Sequence, residues 1–182
     1  MNNLFSKFNV PIVSRDIESS GAVGQYCSKE DVIIIDKNVM KSFPIMKNII
    51  VLHEMFHSTL SSTRTNRIER LVSKLGQYKL GSESFKTEEC IAEICTMIAC
   101  KKLGLLNKYT SIVIEDGIKK NYNDAMIIPW MEVVSALRYF CDDSMNFDDE
   151  LQYVKLYLTD KYNMKIGRSY DSSSIKCKHG NT

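Results

Sequence analysis

His53 and His57 stand four residues apart in Val51-Leu52-His53-Glu54-Met55-Phe56-His57. On an α-helix that spacing puts both imidazoles on one face, a turn apart. The surrounding residues predict such a helix, since Pro44 suits a first turn and Ile45, Met46, Ile49, Ile50, Leu52, Met55, Phe56 and Leu60 follow. A stretch apolar nearly all round is expected between a sheet and other helices. Ser58-Thr59 and Ser61-Ser62-Thr63 then end the helix in a polar run. Unpaired polar groups inside such a helix are costly. One Zn²⁺ ion and its water would satisfy both histidines and Glu54 together. Each imidazole gives the metal a ring nitrogen, and Glu54 can reach a water in the open position. This is the H-E-x-x-H arrangement of zinc hydrolases, two ligands and a general base on one turn. A chance pairing in an amphipathic helix is the bland alternative. It is set aside because the chain has only three histidines and two of them are here.

A catalytic zinc usually takes three protein ligands and leaves one position for water. The other histidine, His179, lies with Cys177 in a polar tail. A second buried helix is predicted from Thr87 to about Leu103, almost wholly apolar after its first turn except for Glu93 and Thr96. Glu89 opens it and is the better third ligand. Glu93 shares the face of Glu89 one turn on, and a carboxylate so placed needs a buried partner. A ligating imidazole donates its other N–H to a carboxylate or carbonyl, so Glu93 is expected to receive that bond from His53 or His57. Glu88 is read as a solvated acid at the helix N-terminus, where the dipole favours it, with little effect on the metal. The expected chemistry is peptide hydrolysis. Zinc polarises a carbonyl, and Glu54 takes the water's proton and passes it to the leaving amine. Tyr78, Tyr109 and Tyr122 are candidate oxyanion donors, and nothing selects among them.

Upstream, Val10–Val13, Gly21–Cys27 and Val32–Asp36 read as β-structure. The last two form a hairpin over the turn-prone Ser28-Lys29-Glu30-Asp31. Asn66 to about Lys79 is a surface helix or an irregular excursion, and Gly81-Ser82-Glu83-Ser84 marks a loop. Helices are expected over Tyr109–Lys120, over Ala125–Asp142 around Pro129 and Trp130, and over Asn146–Tyr162 with Asn146 as N-cap. The fold class is α+β: an N-terminal antiparallel β-hairpin or sheet packed on the metal helix and a bundle of further helices. One domain is expected over residues 1–164, with a flexible tail over 165–182.

At 182 residues and 44% apolar content the chain can bury one core. Its 24 basic and 22 acidic residues are mixed without long runs, which argues against strong nucleic-acid or membrane binding. The start has no apolar signal segment, so a cytoplasmic location is expected. Six cysteines then argue against a disulfide framework. Cys90, Cys95 and Cys100 recur every five residues, a spacing that turns each away from the last. They read as small apolar residues of a buried helix.

His53-Glu54-Met55-Phe56-His57-Ser58-Thr59, followed by Thr87-Glu88-Glu89-Cys90-Ile91-Ala92-Glu93, resembles the zincin-like metallopeptidase domain of ArdC-type antirestriction proteins of plasmids and phages. Gly24-Gln25-Tyr26 and Asp31-Val32-Ile33-Ile34 look like that family's hairpin. Ile127-Ile128-Pro129-Trp130 looks like its later Tyr-Ile-x-x-Trp helix, with Ile in place of Tyr. The likeness covers about residues 21 to 162. Glu89 to Glu93 is also similar to the Glu-x-x-Ala-Asp/Asn of ImmA/IrrE-type regulatory proteases, whose first glutamate is the ligand. By that likeness the ligand is Glu89 rather than Glu88. ArdC proteins carry a separate N-terminal domain for single-stranded DNA, which this chain is too short to hold, so DNA binding is not carried over.

The sequence thus points to a zinc-dependent peptidase of a mobile element or its host, binding one Zn²⁺ and acting on a protein or peptide. The alternative is a non-proteolytic antirestriction or regulatory protein with a structural or vestigial zinc site. A DNA-protecting protein would want a basic groove with stacking aromatics. Oligomeric state is left open.

Overall fold

The computed structural model describes residues 5–17, 21–42, 44–142 and 145–168; Cys177 and His179 lie outside them. The β-branched run Val32–Asp36 forms the central strand β3, flanked by β1 (Ile12–Arg15) and β2 (Gly24–Cys27). Its side chains alternate, and Ile33 and Ile35 are fully buried, as a strand with one face on a core requires. The β2–β3 hairpin is antiparallel, with Tyr26 opposite Ile33, and Asp31 takes a positive φ of 53° in its turn.

β1, however, runs parallel to β3, with Ile12 opposite Ile33, so the sheet is mixed and not the expected antiparallel one. The physical reason lies on β2. Its outer edge faces the helix that carries His53 and His57, where the Tyr26 N–H donates to Glu54 at 2.8 Å. β1 therefore pairs on the far side of β3 and not as the next strand of a meander.

Asp36 accepts from the Asn38 N–H at 2.8 Å and starts a short helix, α1 (Lys37–Ser42), that was not expected. α2 (Pro44–Ser58) carries the two histidines as predicted. α3 (Arg67–Leu75) stops at Gly76, whose φ of 82° suits glycine. α4 (Glu83–Lys102) is the central helix and packs on α2, α3 and three later helices. Those are α5 (Lys108–Asn121), α6 (Trp130–Tyr139) and α7 (Asp148–Tyr162). Cys90, Cys95 and Cys100 are buried and free, as read from the sequence, and burial pushes their thiols up.

Three boundaries moved. α4 begins four residues before Thr87, because Ser82 caps it by accepting from the Phe85 N–H. The expected helix over 125–142 begins only at Trp130, since Ile128–Pro129 is a short strand, β4. β4 pairs in parallel with β5 (Ile166–Gly167), inside the segment expected to be a tail. Asn146 accepts from the Asp148 N–H at 2.7 Å, one position ahead of the capping residue Phe147. Among the described residues, no helix is long and apolar enough to cross a membrane.

Candidate active site

α4 runs past α2 in the opposite sense, which sets Glu93 beside His53 and Glu88 beside His57. The two Nε2 atoms face each other at 2.9 Å. Glu89 reaches both, with one oxygen 3.6 Å from His53 Nε2 and the other 3.4 Å from His57 Nε2. Tetrahedral ligands bound to zinc at their usual lengths lie about 3.3 Å from one another. The Glu89 separations match that figure, and the two nitrogens are slightly closer. One donor atom from each of His53, His57 and Glu89 lies within 4.8 Å of the others. The triad expected from sequence is thus brought together.

The other ring nitrogens decide how these donors point. His53 Nδ1 lies 3.5 Å from Glu93, and His57 Nδ1 lies 3.5 Å from Glu88. Both nitrogens are buried without a hydrogen bond, and the carboxylates sit just beyond bonding length. With a proton on each Nδ1, the Nε2 lone pairs converge on one point, which is what a cation requires. Glu93 lies beside His53, one of the two imidazoles that the sequence allowed as its partner.

Glu88 does not. It was expected to be a solvated helix-end acid, yet it is 0% exposed and paired at 2.5 Å with Arg67, itself 0% exposed. The reason is the earlier start of α4, which puts Glu88 in the second turn and not at the solvated helix end. Arg67 also donates to the Thr59 hydroxyl at 2.6 Å and lies 3.4 Å from Glu132, which Arg70 grips with two bonds. A charged chain thus runs from His57 through Glu88 and Arg67 to Glu132. Apolar periodicity carries no sign of a buried arginine. The Ser82 cap was the legible clue to Glu88.

Electrostatics fit a cation. Burial alone would push His57 down, as would the neighbouring charge of His53; Glu88 and Glu89 win and hold it at about 9. His53 is likewise raised well above the usual imidazole range, burial being outweighed by Glu93 and Glu89. Glu89 is held well below the carboxylate range, because the two imidazoles outweigh its burial.

Glu54 is buried, and the Tyr26 backbone fixes one of its oxygens. Gly24 permits this approach, since a Cβ there would lie 2.3 Å from Ile50 Cγ2 and 3.2 Å from Glu54 Cγ. Tyr26, Asp31 and Arg64 clasp the hairpin to the segment after α2. Arg64 donates to Asp31 at 2.6 and 2.9 Å and to the Tyr26 hydroxyl at 2.9 Å. The triad and Glu54 open into a cleft of about 970 Å³. Of the three candidate tyrosines, Tyr78 lines that cleft. Tyr109 is exposed, and the Tyr122 hydroxyl accepts from the Lys165 N–H.

Two imidazoles and two carboxylates, Glu54 and Glu89, gathered on one cleft make a centre that could hold a metal ion. The fold agrees with it. The chain belongs to the zincin-like metallopeptidase family MPTase-PolyVal, whose model matches residues 8–128, and that family implies zinc. Comparison with curated proteins found no match. Comparison with solved structures found none either.

Proposed function

We propose that the chain is a zinc-dependent peptidase of the HExxH…E type, with His53, His57 and Glu89 holding one Zn²⁺ and Glu54 as the general base. The observation that carries it is Glu54, fixed by Tyr26 at one oxygen and bordering the cleft beside both histidines. When bound, zinc supplies a Lewis acid that polarises the scissile carbonyl and acidifies water. Glu54 takes the water's proton on its other oxygen and delivers it to the leaving amine. Glu93 and Glu88 orient the imidazoles. Tyr78 is the hydroxyl we assign to steady the oxyanion. Burial first, then the charges of Glu88 and Glu89, raise its pKa and keep it protonated as a donor.

The likeness to ArdC-type proteins supports a mobile-element origin and a cytoplasmic protein substrate. Nucleic acid has no part in this reading, because the charges are mixed. A non-proteolytic binding protein with a structural zinc has no use for a base at such a position. Glu54→Gln tests the reading: it should keep zinc and fold while losing hydrolysis in a proteome-wide cleavage comparison. Equal cleavage by the Gln variant refutes the mechanism.

A further inference from the structure

Along the cleft face of α2 the metal histidines are bracketed by apolar residues. Met46, Ile49 and Ile50 precede His53, and Leu60 follows His57. The opposite walls repeat the division. On the His53 side stand Val23, just ahead of β2, and Val113 from α5. Val113 lies one turn before Gly117, which touches Glu93. On the His57 side stand Ile68, Tyr78 and Phe85, the last two in ring contact at 5.7 Å. Phe85 is one turn before Glu89 on α4, hence beyond His57 as α4 runs opposite to α2.

Two apolar compartments therefore flank the metal ligands. Charge is distributed just as unevenly. Among the described residues no lysine or arginine lines the cleft, whereas Glu54, Glu89 and Glu93 do. From Met46 to Ser58 the helix spans about 18 Å, which matches about five to six residues of extended peptide.

We propose that the cleft takes extended peptide segments with a large apolar side chain on each side of the scissile bond and rejects segments acidic at those positions. This rests on the peptidase reading and names its substrate class. Leucine, methionine or phenylalanine fills each compartment and removes its walls from water, a gain of about ten- to a hundredfold per side chain over serine. An aspartate meets three carboxylates and, apart from the zinc ion that Glu89 already serves, no positive side chain among the described residues of the lining. Lysine is spared that repulsion but leaves its compartment unfilled, so it ranks between.

The test uses six-residue peptides identical except at the two central positions, which carry Leu, Phe, Ser, Lys or Asp. One arm follows cleavage of quenched fluorescent versions by the zinc-loaded full chain. The other measures binding of half-peptides that end in the same hydroxamate group to zinc-loaded Glu54→Gln protein. The common zinc-binding group leaves the side chain as the only variable. Leu and Phe should exceed Ser at least tenfold in both arms, with Asp weakest. Binding that favours Leu and Phe while nothing is cleaved supports the cleft assignment and overturns the peptidase reading. Cleavage or binding indifferent to the central residues, or better with Asp or Lys, overturns the cleft assignment and leaves the peptidase reading standing.

Discussion

Gly117 lies inside α5, where glycine costs about 0.5–1 kcal/mol relative to alanine. The structure supplies the reason for keeping it. A Cβ at that position would sit 2.1 Å from Glu93 Oε1, 2.7 Å from Cδ and 3.1 Å from Cγ. No backbone atom is among these neighbours, so in Gly117→Ala the carboxylate gives way and not the helix. Glu93 then leaves His53 Nδ1. Losing such a partner weakens metal binding about ten- to a hundredfold, or about 1.4–2.7 kcal/mol.

Two readouts should therefore move in opposite directions. Zinc affinity, titrated against a competing chelator, should fall by that factor. The melting temperature in excess chelator should rise by about 1–4 °C, as a gain of about 0.5–1 kcal/mol implies for a chain of this size. Glu93→Ala should lose the same zinc affinity, and the double variant no more than either single one. Unchanged zinc affinity in Gly117→Ala would show that Glu93 does not serve His53. A fall in both readouts would show that α5 itself is displaced.

The buried Arg67–Glu88 pair should behave as a unit. Glu88→Ala should cost up to about 3–5 kcal/mol in urea unfolding by leaving buried Arg67 with its longer carboxylate contact, to Glu132, and should also weaken zinc binding, and Arg67→Met/Glu88→Leu should recover much of the stability; additive losses would contradict the pairing. Zinc affinity should depend on pH in a set direction. With His57 holding its proton up to about 9 and His53 likewise raised well above the usual imidazole range, zinc must displace protons from both at pH 7, so affinity should climb steadily from neutral pH to at least about 9. A plateau already at pH 7.5 would argue against the carboxylate cage. Gly24→Ala should drive β2 off Ile50 and Glu54, lowering peptide turnover at least tenfold with zinc affinity kept; unaltered turnover would mean that Glu54 is placed without β2.

Local pattern was enough for the His53–His57 turn. The four-residue spacing of His53 and His57 fixes their common face on any α-helix, and the apolar residues around them leave no other structure for that stretch. A carboxylate inside an apolar helix, four residues beyond Glu89, likewise announced Glu93, because an unpaired charge is not tolerated in such a helix. The β-branched run of β3 and its hairpin with β2 were legible for the same reason: adjacent segments pair through short turns. Packing between distant segments decided the rest. The parallel placement of β1 depends on the outer edge of β2 being taken up by Glu54, 28 residues away. Tyr78 is separated from the other two tyrosines only by the route of its loop to the cleft. Arg67, Glu88 and Glu132 come from three helices, and no period in any one of them marks a charge that another will neutralise. Gly117 could be noticed as a glycine inside a helix, but the carboxylate that needs the space it leaves belongs to α4. Periodicity governs the direction of a side chain within its own element; what it meets there is set by how the elements pack.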